Sequence, residues 1–255
     1  MIFLRNDLLN NYSVIKWQLQ ILLIEKKSVT ELYNDMKNEI SNLFHLSTFS
    51  RFLIEGRISP QNLKKIESFL QANLSLEKIL RLFFSQFKSD LPIRKLILNL
   101  FNNPDILEVI CYKLSKELIK NQVEKRKIVD YILTFPDAVP MAVLLGPKYL
   151  NIPYISLLHN KPINESSISV DYKIENEIVR TYYLSTQDVT PNKSFGIILD
   201  YIELGNLGKV FWDLVSKPEV RGEIKFLIII ISKGNPKRLL REIEELETYI
   251  LFEIN

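Results

Sequence analysis

The 255-residue sequence has little cysteine and little glycine: it contains one cysteine, Cys111, and 7 glycines. A single cysteine excludes a disulfide within the chain and is typical of a reducing compartment, so we expect a cytoplasmic protein. Cys111 lies in an apolar stretch and is expected to pack in the core. The shortage of glycine also limits the loops whose backbone can come close to phosphate groups.

Long apolar runs are absent as well. The run at residues 226–231 is only a few residues long, whereas a membrane-spanning helix needs roughly 20 apolar residues. The N-terminal sequence has no basic segment ahead of its apolar residues, which argues against a signal peptide. We therefore expect no membrane partner.

The excess of positive charge is also small. The formal net charge is +3, with 25% charged and 47% hydrophobic residues. Such an excess does not attract nucleic acid by itself, so any DNA contact has to come from a local basic patch. The composition is that of an ordinary globular protein, and the length suits one large domain or two smaller ones. We expect no metal site and no cofactor.

The N-terminal part contains a series of segments with apolar residues at helical spacing. Ser28 and Glu31 have the spacing of a capping box that opens one helix. Ser47 is expected to cap a short helix that ends before Gly56, and Ser59 precedes a proline at the first position of the next. The predicted helices cover residues 14–24, 47–55 and 76–87 and two segments that start at 28 and 60. We predict an all-helical domain at residues 1–88 and a linker at 89–104.

The remaining sequence, residues 105–255, alternates between strand-like and helix-like segments. After a helix at 105–120, apolar runs rich in Ile, Tyr and Phe predict strands. Helical patterns separate several of these runs, which favours an open, mainly parallel sheet covered by helices. The predicted strands are 128–135, 154–158, 179–184, 195–200 and 224–232, and the predicted helices are 138–150, 209–216 and 236–246. The predicted fold class is an all-helical domain followed by an α/β domain.

The most specific N-terminal feature is the segment 46–60. On a helix, Phe49, Phe52 and Leu53 share a face that can pack inside, which leaves short polar residues and Arg51 outside. A helix that enters the major groove of DNA needs this division, and Arg51 can then contact a guanine edge or a phosphate. Basic residues beyond the helix suit phosphate contacts. The candidate DNA-binding residues are Ser47, Thr48, Ser50, Arg51, Arg57, Lys64 and Lys65.

This segment resembles the helix-turn-helix of prokaryotic repressors, whose Ser/Thr-rich third helix ends in a glycine, a basic, an apolar and a small residue and a proline, here Gly56 to Pro60. The connection from Asn38 to Leu46 is longer than the tight turn of that family and lacks its glycine. The alternative to DNA binding is a helical bundle in which one helix is polar.

The C-terminal half resembles type I phosphoribosyltransferases in the order of its motifs. Residues 127–142 are similar to that family's first strand and pyrophosphate loop, 144–154 to the segment that follows, 179–184 to the strand before the main motif, and 195–209 to the motif that binds phosphoribosyl diphosphate (PRPP). The resemblance implies that fold, with ligand-binding residues in two loops. These are Asp200, Tyr201, Glu203, Gly205, Asn206, Gly208 and Lys209 in the PRPP-like loop, and Thr134, Phe135, Asp137 and Ala138 in the pyrophosphate-like loop.

Several positions depart from that family's pattern. Its members end the strand in two acidic residues that hold the ribose hydroxyls, and here Tyr201 replaces the second acid. Leu204 stands where a phosphate-binding hydroxyl is expected, and Glu203 adds a negative charge that repels phosphate. These departures predict that PRPP-dependent catalysis has been lost. Asp200 is expected either to bind a ligand or to cap the loop that follows it.

Together the two halves resemble archaeal transcription regulators in which a helix-turn-helix precedes a phosphoribosyltransferase-like domain. The resemblance implies a homodimer that binds double-stranded DNA and whose C-terminal domain serves dimerisation and senses a nucleotide-like or phosphoribosyl effector. A dimer would place two recognition helices about 34 Å apart on a palindromic operator. Two alternatives stay open: an active phosphoribosyltransferase of nucleotide salvage or synthesis, and a non-catalytic scaffold for a protein partner.

Overall fold

A computed structural model of the chain describes residues 3–26, 28–87, 91–125, 129–173, 179–202, 207–233 and 246–254. The chain divides into two compact units, Met1–Lys113 and Leu114–Asn255. The first unit is helical and the second is α/β, which confirms the predicted fold class. None of the helices in the described ranges is both long and apolar enough to cross a membrane.

The first unit is built from consecutive helices. They are α1 (Phe3–Lys26), α2 (Val29–Glu39), α3 (Leu46–Glu55), α4 (Pro60–Asn73), α5 (Leu76–Phe84), α6 (Ile93–Phe101) and the first part of α7 (Pro104–Lys125), which runs across the division between the units. Helix α6 lies inside the segment predicted to be a linker. The apolar faces meet in a core that includes Leu19, Met36 and Ile66, and Cys111 is buried as predicted.

The helix starts follow the capping residues in the sequence, with one exception. Ser28 Oγ accepts a hydrogen bond from the backbone N–H of Glu31 at 3.1 Å, and Ser59 caps α4 in the same way. The prediction that Ser47 caps α3 is wrong, because His45 is the N-cap residue and its Nδ1 accepts from the Ser47 N–H at 3.3 Å. A histidine nitrogen can thus take the acceptor role that a serine oxygen usually has at this position.

The second unit contains a parallel sheet with the strand order β2-β1-β5-β6-β7. Its strands are β1 (Tyr131–Thr134), β2 (Tyr154–Ser156), β5 (Ser194–Ile202), β6 (Glu223–Lys233) and β7 (Glu247–Ile254). A separate antiparallel pair is formed by β3 (Ser167–Lys173) and β4 (Val179–Ser185). Strand β6 is a nearly continuous run of buried apolar residues, as expected for a parallel strand covered on both faces.

Helical segments connect β1 to β2 and β5 to β6. After β1 come a 3₁₀ turn (Pro136–Ala138), α8 (Val139–Val143) and a π-helix (Leu144–Leu150), where the sequence predicted one continuous helix. Helix α9 (Leu207–Val215) follows β5. Strands β3 and β7 were not predicted from the sequence, and the predicted helix at 236–246 lies almost wholly outside the described residues.

One core joins the parallel sheet, the β3–β4 pair and α9. It includes Leu133 and Ile197 from the sheet, Val170 and Leu184 from the antiparallel pair, and Phe211 from α9, all buried. The pair is also linked to the end of β2 by mutual backbone hydrogen bonds between Leu158 and Tyr183 at 2.8 and 2.9 Å. The antiparallel pair is therefore fixed on the face of the sheet that α9 covers.

Candidate functional site

The strand order creates a switch point between β1 and β5. From β1 the chain proceeds to β2 on one side, whereas β5, β6 and β7 follow on the other side. Loops that leave the carboxyl ends of two such strands diverge, and ligands of open α/β sheets bind in the crevice between them. Thr134 at the end of β1 pairs with Ile198 of β5, so that both loops resembling the phosphoribosyltransferase motifs begin at this edge.

Asp200 is the acidic residue of β5 at this switch point. It lies two residues beyond Ile198 and is half-buried. Because side chains alternate along a strand, Asp200 shares the face of Ile198 and Thr134, and Tyr201 lies on the opposite face. A carboxylate here can accept hydrogen bonds from hydroxyl groups of a ligand at the edge of the sheet.

The remaining residues of the predicted PRPP-like loop lie around the start of α9. Glu203, Gly205 and Asn206 fall outside the described residues. Gly208 and Lys209 are in the first turn of α9. Further along this helix, Val210, Phe211 and Leu214 are buried, whereas Trp212 and Asp213 are exposed.

The start of α9 therefore follows Asp200 after a short connection, at the same edge of the sheet. The first N–H groups of a helix have no partner within that helix, and the helix dipole favours an anion near them. A phosphate group held at this position would lie close to the carboxyl end of β5.

The pyrophosphate-like loop is tightly packed. Thr134 is fully buried, and its hydroxyl donates to the carbonyl oxygen of Ile198 at 2.9 Å. Phe135 packs against Tyr182 and Phe211, with ring centroids 4.6 and 4.8 Å apart. Ala138 is buried, whereas Asp137 is exposed. Of these four predicted residues, only Asp137 thus presents its side chain to solvent.

Helix α3 has the division into two faces that the sequence predicts. Phe49 and Phe52 are fully buried, Ser47 and Arg51 are exposed, and Thr48 and Ser50 are half-buried. The helix ends at Gly56, which has the left-handed conformation with φ of 71°.

Three side chains from α1 and α2 hold the ends of α3. Tyr12 donates from its hydroxyl to the carbonyl of Ile58 at 3.0 Å, and Lys16 Nζ donates to the carbonyl of Ile54 at 3.2 Å. Tyr33 donates to the carbonyl of Phe44 at 2.7 Å, just before α3 begins. These contacts join residues distant in sequence, so no local pattern predicts them.

The basic residues near α3 differ in their surroundings. Arg57 and Lys64 are exposed, whereas Lys65 is half-buried and its Nζ donates to the carbonyl of Asn42 at 2.6 Å. The ammonium group of Lys65 thus holds the α2–α3 connection. Sequence reasoning also missed Ile54, whose side chain is 78% exposed on α3. Its spacing of seven residues from Ser47 is the signal that places both on one face.

Comparison with solved structures identifies the fold of the second unit. Adenine phosphoribosyltransferase from Saccharomyces cerevisiae, in complex with an iminoaltritol bisphosphate and adenine, matches with a TM-score of 0.50 and 12% identity over 60% of this chain and 84% of that chain. The enzyme from Thermoanaerobacter pseudethanolicus matches with a TM-score of 0.47 and 14% identity over 63% and 86%. The enzyme from Leishmania tarentolae gives 0.49 and 13% over 62% and 74%. No family model matches the sequence, and no curated protein matches it.

The match to the yeast structure confirms the predicted type I phosphoribosyltransferase-like fold. The same finding contradicts the prediction that the chain is not an enzyme, because the yeast protein that shares this fold is a phosphoribosyltransferase. That prediction relied on the departures at Glu203, Leu204 and Tyr201, and two of these residues lie outside the described part of the chain.

Proposed function

We propose that the second unit is a phosphoribosyltransferase that binds PRPP with Mg²⁺ at the carboxyl edge of β1 and β5. In this reaction the bond between the ribose C1 and pyrophosphate breaks, and a bond between C1 and a ring nitrogen of a nucleobase forms. Pyrophosphate leaves, and the proton of that nitrogen passes to solvent. The observation that carries the proposal is the position of Asp200 at the switch point of the sheet.

Asp200 would hold the ribose of the donor. Its carboxylate can accept hydrogen bonds from two ribose hydroxyls, and a hydrogen bond to a charged group contributes about 1.5–3 kcal/mol. The 5′-phosphate would bind at the start of α9, where Gly208 lies in the first turn. With tyrosine at position 201, one carboxylate would hold the ribose hydroxyls, whereas the family that the sequence resembles uses two.

A purine base is the acceptor class that the comparison favours. The yeast enzyme of the same fold was captured with adenine. In this chain His159 is exposed, and its ring centroid lies 5.3 Å from that of Tyr182. An exposed aromatic ring backed by a buried one offers a stacking surface for a planar base.

The test is product formation by the full chain. PRPP and Mg²⁺ are incubated with adenine, guanine, hypoxanthine, uracil or orotate, and nucleotide and pyrophosphate are measured together. We expect equal amounts of both with one class of base, and a decrease of about tenfold or more in kcat/KM in Asp200→Asn. Asp213→Asn, which alters an exposed carboxylate on α9, is the control. Absence of product with every base contradicts the proposal.

A second candidate function belongs to the first unit, which we propose binds duplex DNA through α3. The supporting observation is the division of α3 between buried Phe49 and Phe52 and exposed Ser47 and Arg51. The two functions combine in a homodimeric transcription regulator whose DNA affinity responds to a phosphoribosyl or nucleotide ligand, provided that the ligand binds two conformations unequally.

DNA binding is tested by selection from a pool of randomised duplexes with the full chain at fixed salt concentration. We expect a palindromic sequence to be enriched and its affinity to fall as salt rises. If every duplex binds equally weakly, or none binds, this second function is wrong.

A further inference from the structure

One side chain on the outer face of α3 is apolar. Ile54 is 78% exposed, although it stands among the polar and charged residues Arg51 and Glu55. The other large aliphatic residues of α3 are placed further inside, because Leu46 and Leu53 are half-buried. An apolar side chain in this position loses its contact with water only if a partner covers it.

Ile54 lies in line with the two exposed polar residues of the helix. Ser47, Arg51 and Ile54 are separated by four and three residues, so they form one stripe along α3, here called the α3 stripe. Glu55, which is also exposed, is four residues from Arg51 and lies beside it at the edge of the α3 stripe. A partner that lies along the helix axis and contacts Arg51 therefore also contacts Ile54.

The position of Ile54 is fixed from two sides. Its carbonyl accepts the hydrogen bond from Lys16 Nζ at 3.2 Å, which joins this turn to α1. Phe52, two residues earlier, is fully buried, and the left-handed Gly56 ends the helix two residues later. The backbone under the side chain is thus held in place before any partner binds.

The charges around the α3 stripe favour a polyanion as partner. Among residues 46–65, Arg51, Arg57 and Lys64 are exposed cationic residues, and Glu55, the one acidic residue of this segment, is exposed as well. Among the base edges in the major groove, the C5-methyl group of thymine is the apolar contact that an aliphatic side chain can make. Duplex DNA therefore supplies both phosphates for the cations and a methyl group for Ile54.

We propose that Ile54 determines specificity by contacting the methyl group of a thymine next to the base that Arg51 contacts. The inference rests on the proposed DNA binding of the first unit. The helix rises about 1.5 Å per residue, so Arg51 and Ile54 are about 4.5 Å apart along its axis. With about 3.4 Å per base pair, the thymine lies one or two base pairs from the base at Arg51.

Deletion of the methyl group from the DNA tests this contact. After selection of the preferred duplex, each thymine in turn is replaced by deoxyuridine, which lacks only that methyl group. Binding is then measured for the wild type, Ile54→Ala and Ile24→Ala. Ile24 is the matched control, since it is 48% exposed on α1 and is not on α3.

At one thymine per half-site we expect deoxyuridine to weaken binding about fourfold for the wild type and for Ile24→Ala. The same replacement should have no effect on Ile54→Ala. If every thymine tolerates deoxyuridine, or if the loss is equal in all three proteins, the contact is refuted although DNA binding stands. If selection enriches no sequence, both DNA binding and this contact are refuted.

Discussion

The carboxylate of Asp130 accepts hydrogen bonds from both the backbone N–H and the hydroxyl of Ser194, each at 2.9 Å. Lys193 Nζ donates to the same carboxylate at 2.9 Å. Asp130 precedes β1 and Ser194 begins β5, so these bonds join the amino ends of the two strands whose carboxyl ends form the candidate site. The N–H of Ser194, followed by Lys193, lowers the pKa of Asp130 to about 2.

This low pKa predicts how stability depends on pH. The folded pKa is below the unfolded value of about 3.9, so the stabilisation is complete above that value and is lost as pH falls from about 4 to 2. Asp130→Ala should lower the free energy of unfolding by about 1 kcal/mol at pH 7, a modest figure because the side chain is partly exposed.

Urea unfolding at pH 7, 5, 3 and 2 checks this prediction, with the exposed Asp213→Asn as control. The difference between the wild type and Asp130→Ala should shrink toward pH 2. If the difference in the free energy of unfolding is the same at every pH, the charge of Asp130 does not contribute to stability.

Two glycines should respond differently to alanine. A Cβ at Gly196 in β5 would lie 2.1 Å from the ring of Phe226, whereas a Cβ at Gly56 would have nothing within 4 Å but a φ of 71°. We expect Gly196→Ala to destabilise the protein by about 2–3 kcal/mol through overpacking and Gly56→Ala by about 1 kcal/mol through backbone strain.

Thermal unfolding of both variants measures the two effects, and Phe226→Leu added to Gly196→Ala provides the control. If crowding by the ring is the cause, the smaller leucine should recover part of the loss. Gly196→Ala with wild-type stability would contradict the close packing of β5 on β6.

The sequence predicted the buried strands well, because a parallel strand is a local apolar run such as residues 224–232. It did not predict β7. Polar and apolar residues alternate only weakly at its start, in Glu247, Thr248 and Tyr249, and its pairing with β6 is non-local. Strand β3 does alternate, with Ile168 and Val170 buried, and a search for period-two patterns would have found it.

Arg51→Ala tests the base contact of α3. Loss of a base contact should lower the affinity for the selected duplex by about 1–3 kcal/mol and relax the preference at one base position. Arg94→Ala removes an exposed arginine from α6 and is the matched control. Fluorescence anisotropy titrations at one salt concentration give both values, and equal affinities for the two variants would remove Arg51 from the interface.

Lys64 and Lys65 should differ in the salt dependence of DNA binding. Lys64→Ala is expected to reduce the slope of log K against log salt by about 0.9, the value for one lost phosphate contact. Replacement of Lys65 by alanine should leave the slope nearly unchanged, because the Nζ of Lys65 already donates to the carbonyl of Asn42. The reverse order of the two slopes would show that Lys65 turns to the phosphates on binding.

The candidate sites illustrate what sequence patterns miss. The motif order predicted an acidic residue near the end of a buried strand and a helix soon after it, and Asp200 lies near the end of β5 with α9 beginning at Leu207. The burial of Phe135 under Tyr182 and the use of the Thr134 hydroxyl within the sheet depend on contacts between distant segments. The identity of the N-cap at His45 was missed because serine is by far the commoner capping residue.

The most direct test of the central claim is calorimetric titration of the full chain with PRPP and Mg²⁺. We predict saturable binding that Asp200→Asn weakens about tenfold or more, and that Asp213→Asn leaves unchanged. No detectable binding at millimolar PRPP, or equal affinity in the wild type and Asp200→Asn, would contradict a phosphoribosyl site at the carboxyl edge of β1 and β5.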